Sequence, residues 1–262
     1  MRHPEHDRIR SELEALYRNS FPEVGIQVEQ RRFGFYRCNL HSPETGRILV
    51  RDLSPGEVPG FIADARSYFP GRALEIWLDD SRLELALGPA LSAAGCVRQA
   101  AVVYLAHVGA IARSHSTTGV TVEPVTAATM SEFATVKLKG FANSENEPAP
   151  EPLAQEVAVR TSESRGAGRF LLARVGAEPA AIAGYYDGPD RLIFNLATRI
   201  PYRGRGIARQ LLCQVLADGD DTGGRSVIIN TNPDDTPIQW YRRLGFTDEV
   251  YWHRNYSYGP RD

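Results

Sequence analysis

Arg203-Gly204-Arg205-Gly206-Ile207-Ala208 joins two segments of different periodicity. Before it, Leu192-Ile193-Phe194-Asn195-Leu196-Ala197-Thr198 is short, apolar and bounded by Asp190 and Pro201, the pattern of a buried strand. After it, Ile207, Leu211, Leu212, Val215 and Leu216 recur at helical spacing, which predicts a helix from the glycines to about Asp218. A strand, a glycine turn and a helix start make an anion site. The first amides of the helix lack carbonyl partners, and the helix dipole favours negative charge beside them. Gly204 and Gly206 let the backbone approach a ligand with no Cβ in the way. Arg203 and Arg205 add guanidinium groups that suit phosphate. The turn is expected to hold a pyrophosphate.

A dinucleotide fold requires three glycines and an acidic residue about 20 positions on, and a P-loop requires Gly-Lys-Ser/Thr. Neither is present. The stretch resembles the Arg/Gln-x-x-Gly-x-Gly/Ala signature of the GNAT superfamily of CoA-dependent N-acyltransferases, with Arg203, Gly206 and Ala208 in its three positions and Pro201 ahead of it. A second block strengthens the resemblance. The strand Ser226-Val227-Ile228-Ile229-Asn230-Thr231 precedes a helix that carries Tyr241 and closes in Leu244-Gly245-Phe246.

The resemblance implies an α+β fold with a mixed sheet over about residues 120–258, and acetyl-CoA as co-substrate with no metal. By resemblance, the backbone of Leu196, Ala197 and Thr198 pairs with the pantetheine arm, and the turn from Arg203 through Gly204, Arg205, Gly206 and Ile207 to Ala208 anchors the diphosphate. Tyr241 takes the position of the proton donor to the departing sulfur, and a neutral phenol of pKa about 10 suits that task. Ile238, Tyr241 and Leu244 also share one helix face, so a core role for the tyrosine stays open. The commonest family string has Asn where this chain has Asp234, and Ala where it has Pro237. Asn232, two positions early, is the remaining candidate CoA contact, and Thr236 the expected N-cap of a helix with Pro in its first turn.

Acyl transfer also needs a proton acceptor for the amine. Many family members carry a Glu on the motif strand, but residues 192–198 have none. Asn195 is the polar candidate there. Glu145 and Glu147 in the loop after the first C-terminal-half helix, Asp187, and a chain of waters are the alternatives. Tyr185, Tyr186, Phe194, Tyr251, Trp252 and Tyr256 line an acceptor pocket or simply face a sheet.

The rest of the chain sets the limits. Its 262 residues exceed one domain of roughly 150. With 30 basic and 32 acidic residues the formal charge is −2, which implies no general attraction to nucleic acid or to membranes. No run reaches the ~18 apolar residues of a membrane helix, and Met1-Arg2-His3-Pro4-Glu5-His6-Asp7 has no apolar core of a signal peptide, so a cytoplasmic protein is expected. Cys38, Cys96 and Cys213 are few and scattered, which suggests neither disulfides nor a zinc site.

Residues 1–109 read as a smaller α/β domain in the order strand, helix, strand, helix, strand, and 110–119 as a small, polar linker that includes His115. The order repeats that of residues 120–262, so the first half is expected to be either a degenerate GNAT-like copy or an unrelated α/β domain. Its turn, Ser54-Pro55-Gly56-Glu57, lacks the CoA signature, and Glu57 would repel phosphate. The expected function is N-acetyl transfer to the primary amine of a small molecule or peptide, by a monomer or a homodimer. The competing expectation is a non-catalytic acyl-CoA-binding regulatory module.

Overall fold

The computed structural model describes residues 6–18, 26–39, 45–108, 116–220, 226–234 and 237–259. The first half runs α1 (His6–Arg18), β1 (Ile26–Arg31), β2 (Gly34–Asn39), β3 (Thr45–Val50), α2 (Val58–Tyr68), β4 (Ala73–Leu78), α3 (Ser81–Ala93) and β5 (Val97–His107). The second runs β6 (Val120–Pro124), α4 (Met130–Ala142), α5 (Pro150–Ser164), β7 (Gly168–Val175), β8 (Glu178–Asp187), β9 (Arg191–Thr198), α6 (Ile207–Asp220), β10 (Val227–Thr231), α7 (Pro237–Arg243) and β11 (Phe246–Tyr258). The elements expected from periodicity are present, and Asp80 caps α3 by accepting from the Arg82 amide at 2.8 Å. Residues 110–115 of the expected linker, with His115, lie outside the described residues, as does Thr236.

The chain divides into two compact units. One comprises Met1–Leu105, Thr231–Arg243 and Glu249–Asp262, the other Ala106–Asn230 and Leu244–Asp248. The first unit orders its strands β1-β2-β3-β4-β11-β5. β1, β2 and β3 are antiparallel, β3 and β4 are parallel with α2 as the crossover, and β11 returns antiparallel to β4 from Arg254↔Leu78 to Tyr258↔Leu74. The chain's last strand therefore closes this unit's sheet, although the sequence pattern groups it with residues 120–262. On one sheet face Tyr36, Ile48, Val50, Leu74, Ile76, Leu78 and Tyr256 pack with Phe61 of α2 and Leu87 of α3.

The second unit repeats the plan. Its order is β10-β9-β8-β7-β6, with antiparallel pairs from β6 to β9 and a parallel β9–β10 pair joined through α6. Phe133 and Val136 of α4 pack on Phe170, Leu172, Ile182 and Ala197. The predicted apolar stripe of α6, Ile207, Leu211, Leu212, Val215 and Leu216, is buried throughout.

The two units differ at their parallel strand pairs. In the first unit β3 and β4 stay paired from Thr45↔Ala73 to Leu49↔Trp77. In the second, β9 and β10 pair at Arg191↔Val227, Leu192↔Ile228 and Ile193↔Ile229, and the pairing goes no further. The turns differ as well. Glu57 folds back on its own turn and accepts from the Ser54 amide at 3.1 Å and hydroxyl at 2.6 Å. A carboxylate held there, its pKa lowered by those bonds, occupies an amide that an anion would use. Among the described residues no helix is long and apolar enough to cross a membrane.

Candidate active site

The site begins with the two edges of β9. On one edge the register with β8 runs from Ala181↔Thr198 through Ile182↔Ala197 and Ala183↔Leu196 to Gly184↔Asn195, then passes to Tyr185↔Ile193. Phe194 is thus an extra residue, and β9 bulges at that point. Arg199 donates its amide to Ala180 O at 3.0 Å, which fixes the alternation of the ladder. Ala197 turns its N–H and C=O toward β8, while Leu196 and Thr198 turn theirs away. On the other edge β10 leaves after Ile193↔Ile229. Among the described residues, the polar backbone of Leu196 and Thr198 has no strand partner from β10. An extended chain can join there as an added strand.

That open edge leads into the glycine turn. Gly204 and Gly206 have φ of +75° and +79°, a region that L side chains rarely adopt. A Cβ on Gly204 would meet nothing within 4 Å, so the turn faces open space and needs glycine for its backbone angle alone. α6 then starts, with Gln210 N–H donating to Gly206 O at 3.1 Å and Ile207, 1% exposed, anchoring the first turn. The amides ahead of Gln210 have no intrahelical acceptor. Residues and space here fit a diphosphate.

The two arginines behave differently. Arg205 is exposed and lies 5.4 Å from the Tyr202 ring, with Arg199 also 5.4 Å from that ring. Arg203 instead donates to backbone carbonyls, through Nε to Thr198 O and Nη2 to Gly140 O, both at 3.0 Å. It fastens the turn to the end of β9 and to α4, where Gly140 is so close that a Cβ would come within 2.9 Å of Ala197 Cβ.

The expected carboxylates are engaged. Glu145 accepts from Arg199 Nε and Nη2 at 2.9 and 2.7 Å and from the Ile200 amide at 3.1 Å. Glu147 pairs with Lys139, and Asp187 with Arg191 at 2.8 Å. Asn195 is 5% exposed, and its buried Nδ2 has no hydrogen-bond partner among the described residues. Tyr241 and Asn232 belong to the first unit. Tyr241 is buried on α7 on the same face as Ile238, with the Trp240 ring 5.2 Å away. Asn232 Oδ1 accepts from the Asp234 amide at 2.9 Å and shapes the turn before α7.

One cluster was missed from the sequence. Tyr186 stacks on Phe194 at 4.3 Å and donates its hydroxyl to Glu163 Oε1 at 2.8 Å. Glu163 pairs with Arg160, Arg160 with Glu156, and Glu156 with Lys137 at 2.6 Å. Burial raises the Glu163 carboxyl above its ordinary pKa. The signal was available: Glu156, Arg160 and Glu163 recur at i, i+4 and i+7, one stripe of α5. Among the described residues no group of three or more His, Cys, Asp or Glu is arranged to hold a metal.

Residues 137–246 match the Acetyltransferase (GNAT) family model. No curated protein matches the chain. Among solved structures, a GCN5-related N-acetyltransferase from Kribbella flavida aligns at TM-score 0.68 and 19% identity, over 98% of this chain and 96% of its own. Another from Sphaerobacter thermophilus aligns at TM-score 0.65 and 14% identity, over 89% and 75%. A tandem GNAT protein from the clavulanic acid biosynthesis pathway aligns at TM-score 0.62 and 17% identity, over 88% and 80%. At these identities the likeness is one of fold.

Proposed function

From a chain whose residues 137–246 form an acetyltransferase domain of the GNAT family, we propose that the protein transfers an acetyl group from acetyl-CoA to the primary amine of a small molecule or peptide. The observation that carries this is the parted β9–β10 edge, where the outward-facing backbone of Leu196 and the amide of Thr198, without a strand partner from β10, run into the Gly204–Gly206 turn and the start of α6. The α6 amides and Arg205 hold the diphosphate, and Leu196 and Thr198 align the pantetheine arm. Ala197, whose amide faces β8, supports the arm from behind. An outward N–H on β9 polarises the thioester carbonyl. Tyr241 keeps the role given by the resemblance, proton donor to the sulfur, and Asn232 remains a candidate contact beside it.

Asn195 offers its unpaired Nδ2 to the acceptor or to a water. Glu145 acts as a brace rather than a base, because both of its oxygens hold Arg199 and Ile200. We assign the transfer to residues 120–262 and regard 1–109 as a copy without the cofactor motif, in a cytoplasmic protein. The pairing of Glu145 and Asp187 with arginines favours a second reading, a CoA-binding module without catalysis.

Release of free thiol from acetyl-CoA across a panel of primary amines separates the two. Turnover with at least one amine is expected. Tight CoA binding with no release above buffer for any amine would leave the binding module.

A further inference from the structure

We propose that Asn195 selects the acceptor: its carboxamide donates from Nδ2 to a carbonyl oxygen beside the reacting amine, so the substrates are α-amino acids, their amides or peptide N-termini rather than simple alkylamines. The inference rests on the acyl-transfer reading above and names the substrate class of that site.

The course of β9 sets the place. With the diphosphate at the Gly204–Gly206 turn, the arm runs back along the open edge from the Thr198 amide toward Leu196. That edge closes where β9 and β10 pair, at Ile193↔Ile229. The thioester end of the arm therefore comes to rest beside residues 194–196, at the bulge. Asn195 adjoins Leu196 there, with Cα atoms about 3.8 Å apart. Its side chain shares a sheet face with Ala197, two residues on, which packs with Phe133 and Val136 of α4. Phe170, Gly184 and Asn195 are register partners across β7, β8 and β9. A Cβ on Gly184 would lie 3.2 Å from Phe170 and 3.3 Å from Asn195, so the glycine leaves room for the carboxamide.

The carboxamide has no partner in its own chain. Asn195 is 5% exposed, and its buried Nδ2 makes no hydrogen bond among the described residues. Buried donors almost always have an acceptor, and one without costs stability. The charged groups of this face answer one another instead: Lys137 pairs with Glu156, Glu156 with Arg160, Arg160 with Glu163, and Glu163 accepts from Tyr186. The amine of the acceptor cannot complete Nδ2 either. An ammonium carries donors alone, and the free amine commits its lone pair to the acyl carbon. A carbonyl oxygen on the neighbouring carbon can. The Phe170 and Phe194 rings, 6.0 Å apart, offer that acceptor apolar walls.

The test uses the full chain, acetyl-CoA and three amines with one side chain: phenylalanine amide, phenylalanine and phenethylamine. The wild type is expected to favour the amide or the acid over phenethylamine by on the order of 10²-fold in kcat/KM, as a site built around one hydrogen bond rejects an analogue that lacks it. A lead of the amide assigns a neutral carbonyl as the partner, and a lead of the acid a carboxylate. Asn195→Leu is expected to shrink that preference by roughly 10-fold or more, chiefly through KM, with CoA affinity unchanged. Asn195→Asp keeps the shape and replaces the donor by an acceptor, so it is expected to lower the preference as well. A preference unmoved in both variants overturns the assignment. So does faster turnover of all three amines by Asn195→Asp, which would mean that the residue holds the ammonium. A wild type that acetylates the three equally keeps the transfer reading and loses this one. A wild type that binds CoA yet acetylates no amine of any kind loses the transfer reading first, and this inference with it.

Discussion

His253 is 4% exposed on β11, its ring stacked on Trp77 at 4.6 Å and 14° from parallel. Burial lowers the imidazole pKa from 6.5 to about 4, against the weaker pull of Asp79 and Glu75 toward the charged form. The unfolded chain protonates this group first. Stability is therefore full above pH of about 6.5 and falls as the pH drops toward about 4, by about 3 kcal/mol in all. His253→Phe should flatten that part of the slope, read as urea midpoints at pH 7 and pH of about 4.5; an equal slope in the variant would assign the acid sensitivity to other groups. A second residue-scale expectation concerns Tyr241. Its replacement by Phe should lower turnover by roughly 10²–10⁴-fold and leave CoA affinity unchanged, and an unchanged rate would give the proton donor's role to water.

β9 makes opposite demands on neighbouring residues, because Leu196 turns its amide to the open edge and Ala197 to β8. Proline removes an amide, and a strand tolerates that only on an unpaired side. Leu196→Pro should weaken CoA binding with little change in melting temperature, whereas Ala197→Pro should destabilise the second unit outright. Equal melting losses from both would mean the alternation is wrong. The strand itself was legible, since an apolar run between Asp190 and Pro201 before a glycine turn has few other readings. Its bulge was not. Phe194 is one apolar residue among several, and its extra place appears only when β8 is laid alongside. Glu145 was open to misreading for a similar reason, because its partner Arg199 is distant in sequence and brought near by the crossing of α4 over β9.

The two units share a strand arrangement, antiparallel strands followed by one parallel pair, and the features of a cofactor site lie in the second. The first keeps β3 and β4 paired to Leu49↔Trp77 and plugs its turn with Glu57, while the second parts its strands and opens its turn. The shared order of elements was visible in sequence. The destination of the last strand was hidden, since alternating aromatic and polar residues fit either sheet. Because β11 pairs with β4, truncation after Asp248 should strip hydrogen-exchange protection from residues 73–78 of the first unit; retained protection there would show that β11 is dispensable to that sheet. The central claim, that the diphosphate of CoA is gripped at the start of α6 and nowhere else, is tested most directly by calorimetric titration of CoA into the wild-type chain and into Gly206→Val. The account predicts one CoA per chain, and none for the variant with its circular dichroism unchanged. Two equivalents in the wild type, or undiminished affinity in the variant, would contradict it.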